Sequence, residues 1–187
     1  AEITGGFLST TTYQKSFYLN WRCSDSYFAK MSSEGTIEKA VVLDNSPGQW
    51  EVFSAIYLQS LIVFIVRSNS SYIVGMNGDF EPQFQTQVPN NIILRLLSGI
   101  EGSDSFLAVG NVKNSNSVYV GVFNSTGTME KDTIIEFSGS ITIFSASVNT
   151  DYIQICFYNP SNQPVSSSFL SLNRSDLSPI GLQFLAR

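Results

Sequence analysis

The chain has 187 residues, 43% of them hydrophobic and 13% aromatic, with 10 Lys or Arg, 15 Asp or Glu, two Cys and no His. That is enough apolar material to build a core, which excludes a disordered chain, and a net charge of −5 with scattered cations excludes a nucleic-acid surface and suits anionic lipid poorly. Without His there is no Ser-His-Asp or Cys-His nucleophile system and no His metal site, and the longest apolar run, Leu61–Val66, has the length of a strand and not of a bilayer-spanning helix.

Read in order, the chain gives sixteen predicted strands in four repeats. The first repeat, residues 6–45, has candidate strands at Gly6–Tyr13, Ser16–Arg22, Tyr27–Met31 and Ile37–Leu43. The second, residues 50–88, has Trp50–Leu58, Leu61–Arg67, Tyr72–Met76 and Phe80–Gln87. The third, residues 91–137, has Ile92–Leu97, Phe106–Asn111, Val118–Phe123 and Met129–Phe137. The fourth, residues 139–187, has Ser140–Val148, Tyr152–Tyr158, Ser168–Leu172 and Ile180–Leu185. Each is rich in β-branched and aromatic residues and is bounded by Gly, Asn, Asp, Ser or Pro, and no segment sustains a helical period. Leu61–Val66 is apolar on both faces, which calls for sheet on either side.

The repeat is visible residue by residue. Phe17, Leu61, Phe106 and Tyr152 recur at a period of about 45 residues. The turn before the fourth strand reads Gly35-Thr36-Ile37-Glu38-Lys39, Gly78-Asp79-Phe80-Glu81-Pro82, Gly127-Thr128-Met129-Glu130-Lys131 and Ser175-Asp176-Leu177-Ser178-Pro179, with Gly expected to supply a positive φ. On this pattern the chain resembles the broad class of β-propeller repeat proteins over essentially its whole length. The resemblance implies an all-β fold of four four-stranded antiparallel units, a four-bladed propeller with each first strand near the axis and each fourth at the rim. It names no activity: the WD40, kelch and integrin-type calcium signatures are absent. The competing architecture is two tandem β-sandwiches with a boundary near Val88-Pro89-Asn90-Asn91, for which a period of about 90 residues would be expected.

Closure of four repeats would bring the first beside the last, and Cys23 and Cys156 occupy related places in them, so a Cys23–Cys156 disulfide is a candidate staple. Two cysteines are too few for a metal site of the CxxC type, and no cofactor is expected. Three sequons, Asn69-Ser70-Ser71, Asn124-Ser125-Thr126 and Asn173-Arg174-Ser175, fall in expected hairpin turns and nominate Asn69, Asn124 and Asn173 for N-glycosylation in a secreted or cell-surface protein. The topology puts Asn124 and Asn173 on one face of the disc and Asn69 on the other. The opening Ala1-Glu2-Ile3 reads as the start of a mature product after signal removal.

For catalysis only carboxylates remain. A glycosidase needs two of them about 5 to 9.5 Å apart, and the inner strands offer Glu51, with Asp104 and Asp151 at equivalent turns where Lys15 and Ser60 fill the other two repeats. Turn chemistry explains the Asp pair more simply. Glu38, Glu81 and Glu130 open the outer strands and are expected to guard an edge against stray strand pairing. Trp21, Trp50, Phe53, Tyr57, Tyr152, Phe157 and Tyr158 are candidates for stacking on a sugar, with core packing the cheaper reading. The expected function is a non-enzymatic extracellular structural module that associates with copies of itself. A carbohydrate-binding or adhesion module is the first alternative and a carboxylate-dependent glycoside hydrolase the second.

Overall fold

A computed structural model describes residues 9–13, 16–22, 26–32, 34–43, 51–58, 60–159 and 167–184. Among them are sixteen strands and no helix. The first sheet holds β1 (Ser9–Tyr13), β2 (Ser16–Arg22), β3 (Ser26–Ser32) and β4 (Ile37–Leu43). The second holds β5 (Glu51–Leu58), β6 (Leu61–Arg67), β7 (Ser71–Asn77) and β8 (Pro82–Gln87). The third holds β9 (Ile92–Gly99), β10 (Phe106–Val112), β11 (Ser117–Phe123) and β12 (Met129–Glu136), and the fourth β13 (Thr142–Val148), β14 (Tyr152–Tyr158), β15 (Ser167–Asn173) and β16 (Pro179–Phe184). Every sheet is an antiparallel meander in chain order, so all sixteen expected strands are present.

Sheets stack in sequence. The first strands lie side by side, β1 against β5, β5 against β9 and β9 against β13, which places them innermost, with β8 and β12 exposed on alternate residues at the outside. One apolar layer fills each junction. Ile62, Phe64, Val66, Val74 and Met76 pack with Val41 between sheets 1 and 2. Val63, Ile65 and Ile73 meet Ile92, Leu94, Phe106, Ala108, Tyr119 and Phe123 between sheets 2 and 3. Leu107, Val109, Val118, Val120 and Val122 meet Ile143, Ile153, Ile155, Phe157, Leu170 and Leu172 between sheets 3 and 4. This is propeller packing, and it runs straight across Val88-Pro89-Asn90-Asn91, where the two-sandwich alternative would have divided the core.

The alternation of side chains along a strand gives each sheet a back face, toward the preceding sheet, and a forward face. In β6, β10 and β11 both are covered: Ile62–Ile65, Phe106–Val109 and Val118–Val120 are at most 1% exposed. Sheet 4 differs. In β14 and β15 only alternate residues are buried, so Ile153, Ile155 and Phe157 are covered on the back face while Gln154, Cys156 and Tyr158 stand half-exposed on the forward one. Sheet 1 packs on sheet 2 through β1 and β2 against β5. The Cys23 end of the expected juxtaposition of first and last repeats lies outside the described residues.

Two glycines owe their place to close approach. The ring of Phe84 lies where a Cβ on Gly75 of its own sheet or on Gly127 of the next would have to go, at 2.2 and 2.3 Å. That ring thus locks the rim of sheet 2 under the last turn of sheet 3.

Candidate functional site

The face carrying the turns between first and second and between third and fourth strands is the better furnished one. Its recurring element is an oxygen at the end of the third strand that caps the following turn. Ser32 Oγ accepts from the N–H groups of Glu34 and Thr36. Asn77 Oδ1 accepts from Asp79 and Glu81, and Asn124 Oδ1 from Thr126 and Thr128. Asn173 Oδ1 accepts from the N–H and the hydroxyl of Ser175. This short-range capping is what Ser and Asn supply in turns.

The turns correct one expectation. Gly35 and Gly127 have positive φ (85° and 76°), but in the second and fourth blades that conformation falls on Phe80 (59°) and Leu177 (60°), not on Gly78 or Ser175. A left-handed residue with a side chain costs about 1–2 kcal/mol, and here the side chains are buried, at 6% and 1% exposure. Burial of a Phe or Leu is worth a similar amount, so these two turns trade backbone strain for core contact.

The same motif carries a second function that its sequence did not announce. Lys39 Nζ donates to the carbonyl of Asp79 in the next blade, and Lys131 Nζ donates to those of Arg174 (2.5 Å) and Ser175 (2.8 Å). In the second blade Pro82 fills the Lys position, and Thr86 Oγ1 donates to Gly127 O at 2.6 Å instead. The outer strands β4, β8 and β12 are thereby each latched to the following turn. The neighbouring Glu residues serve locally: Glu38 pairs with Lys30 at 3.2 Å, Glu81 accepts from Asn77 Nδ2 and Glu130 from Ser105 Oγ.

Between sheets 3 and 4 the latch borders an open cleft of about 630 Å³, lined by Ser103, Ser105, Glu130, Lys131, Asp151 and Arg174 among others. Its cations are committed to carbonyls, for Arg174 Nη1 donates to Asn149 O and Thr150 O. Asp151 and Glu130 thus share one cleft, whereas Asp104, exposed in its turn, does not line it. Among the described residues no aromatic side chain lines it either. Ser60 is exposed, and Lys15 lies outside the described residues.

The sugar-stacking candidates are dispersed. Phe157 is core, Phe53 is capped by the Arg67 guanidinium 3.6 Å from its ring centroid, Tyr57 is half-buried, and Tyr152 is 38% exposed. Tyr158 leans on Phe144, with ring centroids 6.4 Å apart, in sheet 4. Trp50 lies outside the described residues, as does the side chain of Trp21.

Asn124 and Asn173 sit in third-to-fourth-strand turns and Asn69 in the β6–β7 turn at the opposite end, as the topology required. Asn69 is exposed, while Asn124 and Asn173 are half-buried by their capping work. Cys156 is half-buried in β14 opposite Ser145 and Phe169; Cys23 lies outside the described residues.

No family model matches the chain, and neither does any curated protein. Solved structures do. A Bacteroides caccae protein of unknown function superposes with a TM-score of 0.64 at 13% identity, over 97% of this chain and 62% of that one. Drosophila Plexin A, solved in complex with Semaphorin 1b, gives 0.62 at 7% identity over 96% and 41%. A subtype N10 neuraminidase-like protein of A/little yellow-shouldered bat/Guatemala gives 0.57 at 16% identity over 98% and 63%. The chain therefore has a propeller-type fold, and it spans less than two thirds of the length of these structures.

Proposed function

We propose that the chain is a non-enzymatic, extracellular structural module that assembles with copies of itself through the forward face of sheet 4. The observation that carries this reading is the burial pattern of β14 and β15. At the register positions where sheets 2 and 3 present Ile65, Ile73, Val109 and Val120, all 0% exposed, sheet 4 presents Cys156 and Phe169, half-exposed and joined by Gln154, Tyr158 and Ser171. None of these five carries a charge, so association meets no ionic desolvation penalty there.

The three junctions within the chain are all of forward-on-back type. Extending that stacking by one step places the back of sheet 1 of a second copy on sheet 4, a head-to-tail contact that yields rings or open filaments. Glycans at Asn69, Asn124 and Asn173 suit such a surface component and, being in turns, leave the sheet face clear. A Cys23–Cys156 bridge would engage the same face and compete with assembly. Plexin A, a propeller solved in complex with another protein, supports the use of this fold for association. Electron microscopy of the native protein tests the reading: ordered rings or filaments are expected, and dispersed single chains at every concentration would overturn it.

A carbohydrate-binding role is the second reading, and the 630 Å³ cleft favours it by its volume and its hydroxyl and carboxylate lining. Binding on a glycan array that is lost in Asp151→Ala would establish it.

A further inference from the structure

The three sequons differ in what folding does to the hydroxyl two residues after the Asn, the group that makes Asn-x-Ser/Thr an acceptor for a glycan. In the β11–β12 turn Thr126 is exposed, and its Oγ1 donates to Asn124 Oδ1 at 2.7 Å. In the β15–β16 turn Ser175 is exposed, and its Oγ donates to Asn173 Oδ1 at 2.8 Å. In the β6–β7 turn the corresponding residue is Ser71, 1% exposed. Its hydroxyl donates to Ile92 O at 3.2 Å and accepts from Leu94 N at 3.1 Å, so it is part of the junction between sheets 2 and 3. Asn69 itself is exposed, but its carbonyl is held from sheet 3, accepting at 3.2 Å from Nζ of Lys113, which follows β10.

The amides of Asn124 and Asn173 are turned the right way for modification. Asn124 Oδ1 also accepts from the N–H groups of Thr126 and Thr128, each at 3.0 Å, and Asn173 Oδ1 from that of Ser175 at 2.9 Å. Only the oxygen can accept from these donors, which leaves each Nδ2 on the side away from them. Neither Nδ2 donates to any group among the described residues. Asn77 stands in the same capping column but heads no sequon, and there Nδ2 is engaged, donating to Glu81 Oε2 at 2.8 Å.

We propose that Asn124 and Asn173 accept N-glycans in the folded chain, whereas Asn69 accepts one only before sheets 2 and 3 close on each other. The inference rests on the extracellular reading above and sets modification in order against folding. The co-reactant is an oligosaccharide joined through its anomeric carbon to a lipid pyrophosphate. Nδ2 forms a bond to that carbon, the carbon–oxygen bond to the pyrophosphate breaks, the pyrophosphate leaves with the electron pair, and one Nδ2 proton passes to a base of the transferase. Oδ1 keeps its lone pairs, so a glycosylated Asn124 or Asn173 still caps its turn. Asn69 is closed because presenting Ser71 to a transferase breaks both of its buried hydrogen bonds and opens the junction. Exposure of the Asn alone is therefore the wrong guide, since the most exposed of the three heads the sequon that folding closes.

The test is transfer in vitro by a purified oligosaccharyltransferase to the intact folded chain, with occupancy at each Asn followed by mass spectrometry. A synthetic peptide of residues 64–76 is the unfolded control for the Asn69 sequon. Asn124 and Asn173 are expected to be modified in the folded chain. Asn69 is expected to react there at least about tenfold more slowly than in the peptide, a factor set by the hydrogen bonds that opening breaks. Equal rates at Asn69 in the folded chain and the peptide would overturn the proposal, as would a folded chain left bare at Asn124 and Asn173 while the peptide is modified. Failure of the extracellular reading shows separately, as native protein that carries no sugar at any of the three sites.

Discussion

Replacing Lys131 by Met removes the latch between the third and fourth blades while keeping the length of the side chain. Its ammonium gives two charge-assisted hydrogen bonds, at 2.5 and 2.8 Å, to carbonyls of the β15–β16 turn. Bonds of that kind are each worth about 1.5–3 kcal/mol, but the cleft is open to water, which can satisfy the two carbonyls once the lysine is gone. The expected loss is therefore about 2 kcal/mol in all, equivalent to a fall in Tm of about 4–8 °C for a chain of this size. Lys113→Met is the matched control, since that ammonium makes a single 3.2 Å bond from an exposed position, and its cost should stay within about 0.5 kcal/mol. Differential scanning calorimetry of the two variants gives the comparison. Equal Tm values for Lys131→Met and Lys113→Met would refute the argument that the repeated Lys joins blades.

Two further substitutions probe the packing. Gly110→Ala would set a Cβ 2.4 Å from the backbone oxygen of Ile93, beside the β9–β10 register shift, where no side chain can yield; urea unfolding should show a loss of about 3 kcal/mol, against little change for Gly99→Ala, which has open space. Tyr119 is 1% exposed, and burial, with the charge of Asp132 second, raises its pKa. The folded state thus holds that proton more tightly than the unfolded chain does, and the stability it confers is complete below about pH 10 and lost as pH rises further. Thermal melts in that alkaline range should show a shallower decline for Tyr119→Phe than for the parent.

The strands and their order were legible because each is a short run of β-branched and aromatic residues bounded by turn residues, and Leu61–Val66, apolar on both faces, announced cover on both. Repeat length reports the size of a blade, and the regular spacing of about 45 residues marked out the four sheets. Aligning turns by Gly was misleading because the invariant need is one left-handed residue, which buried Phe80 and Leu177 meet as well as Gly35 and Gly127 do. The capping column Ser32, Asn77, Asn124 and Asn173 is the better register mark, and two of its members, Asn124 and Asn173, head sequons. Lys39 and Lys131 were printed in the motif but had no visible partner, since their acceptors are backbone carbonyls about 40 residues onward.

The face that the account turns on can be changed by one residue. Phe169, half-exposed in the middle of β15 opposite Cys156 and Gln183, becomes Arg in a variant that leaves the back-face core of sheet 4 untouched. Sedimentation velocity across a range of concentrations should show the parent chain associating and Phe169→Arg sedimenting as a folded single chain. Association that is the same in both, or a parent chain that stays single throughout, would contradict assembly through sheet 4.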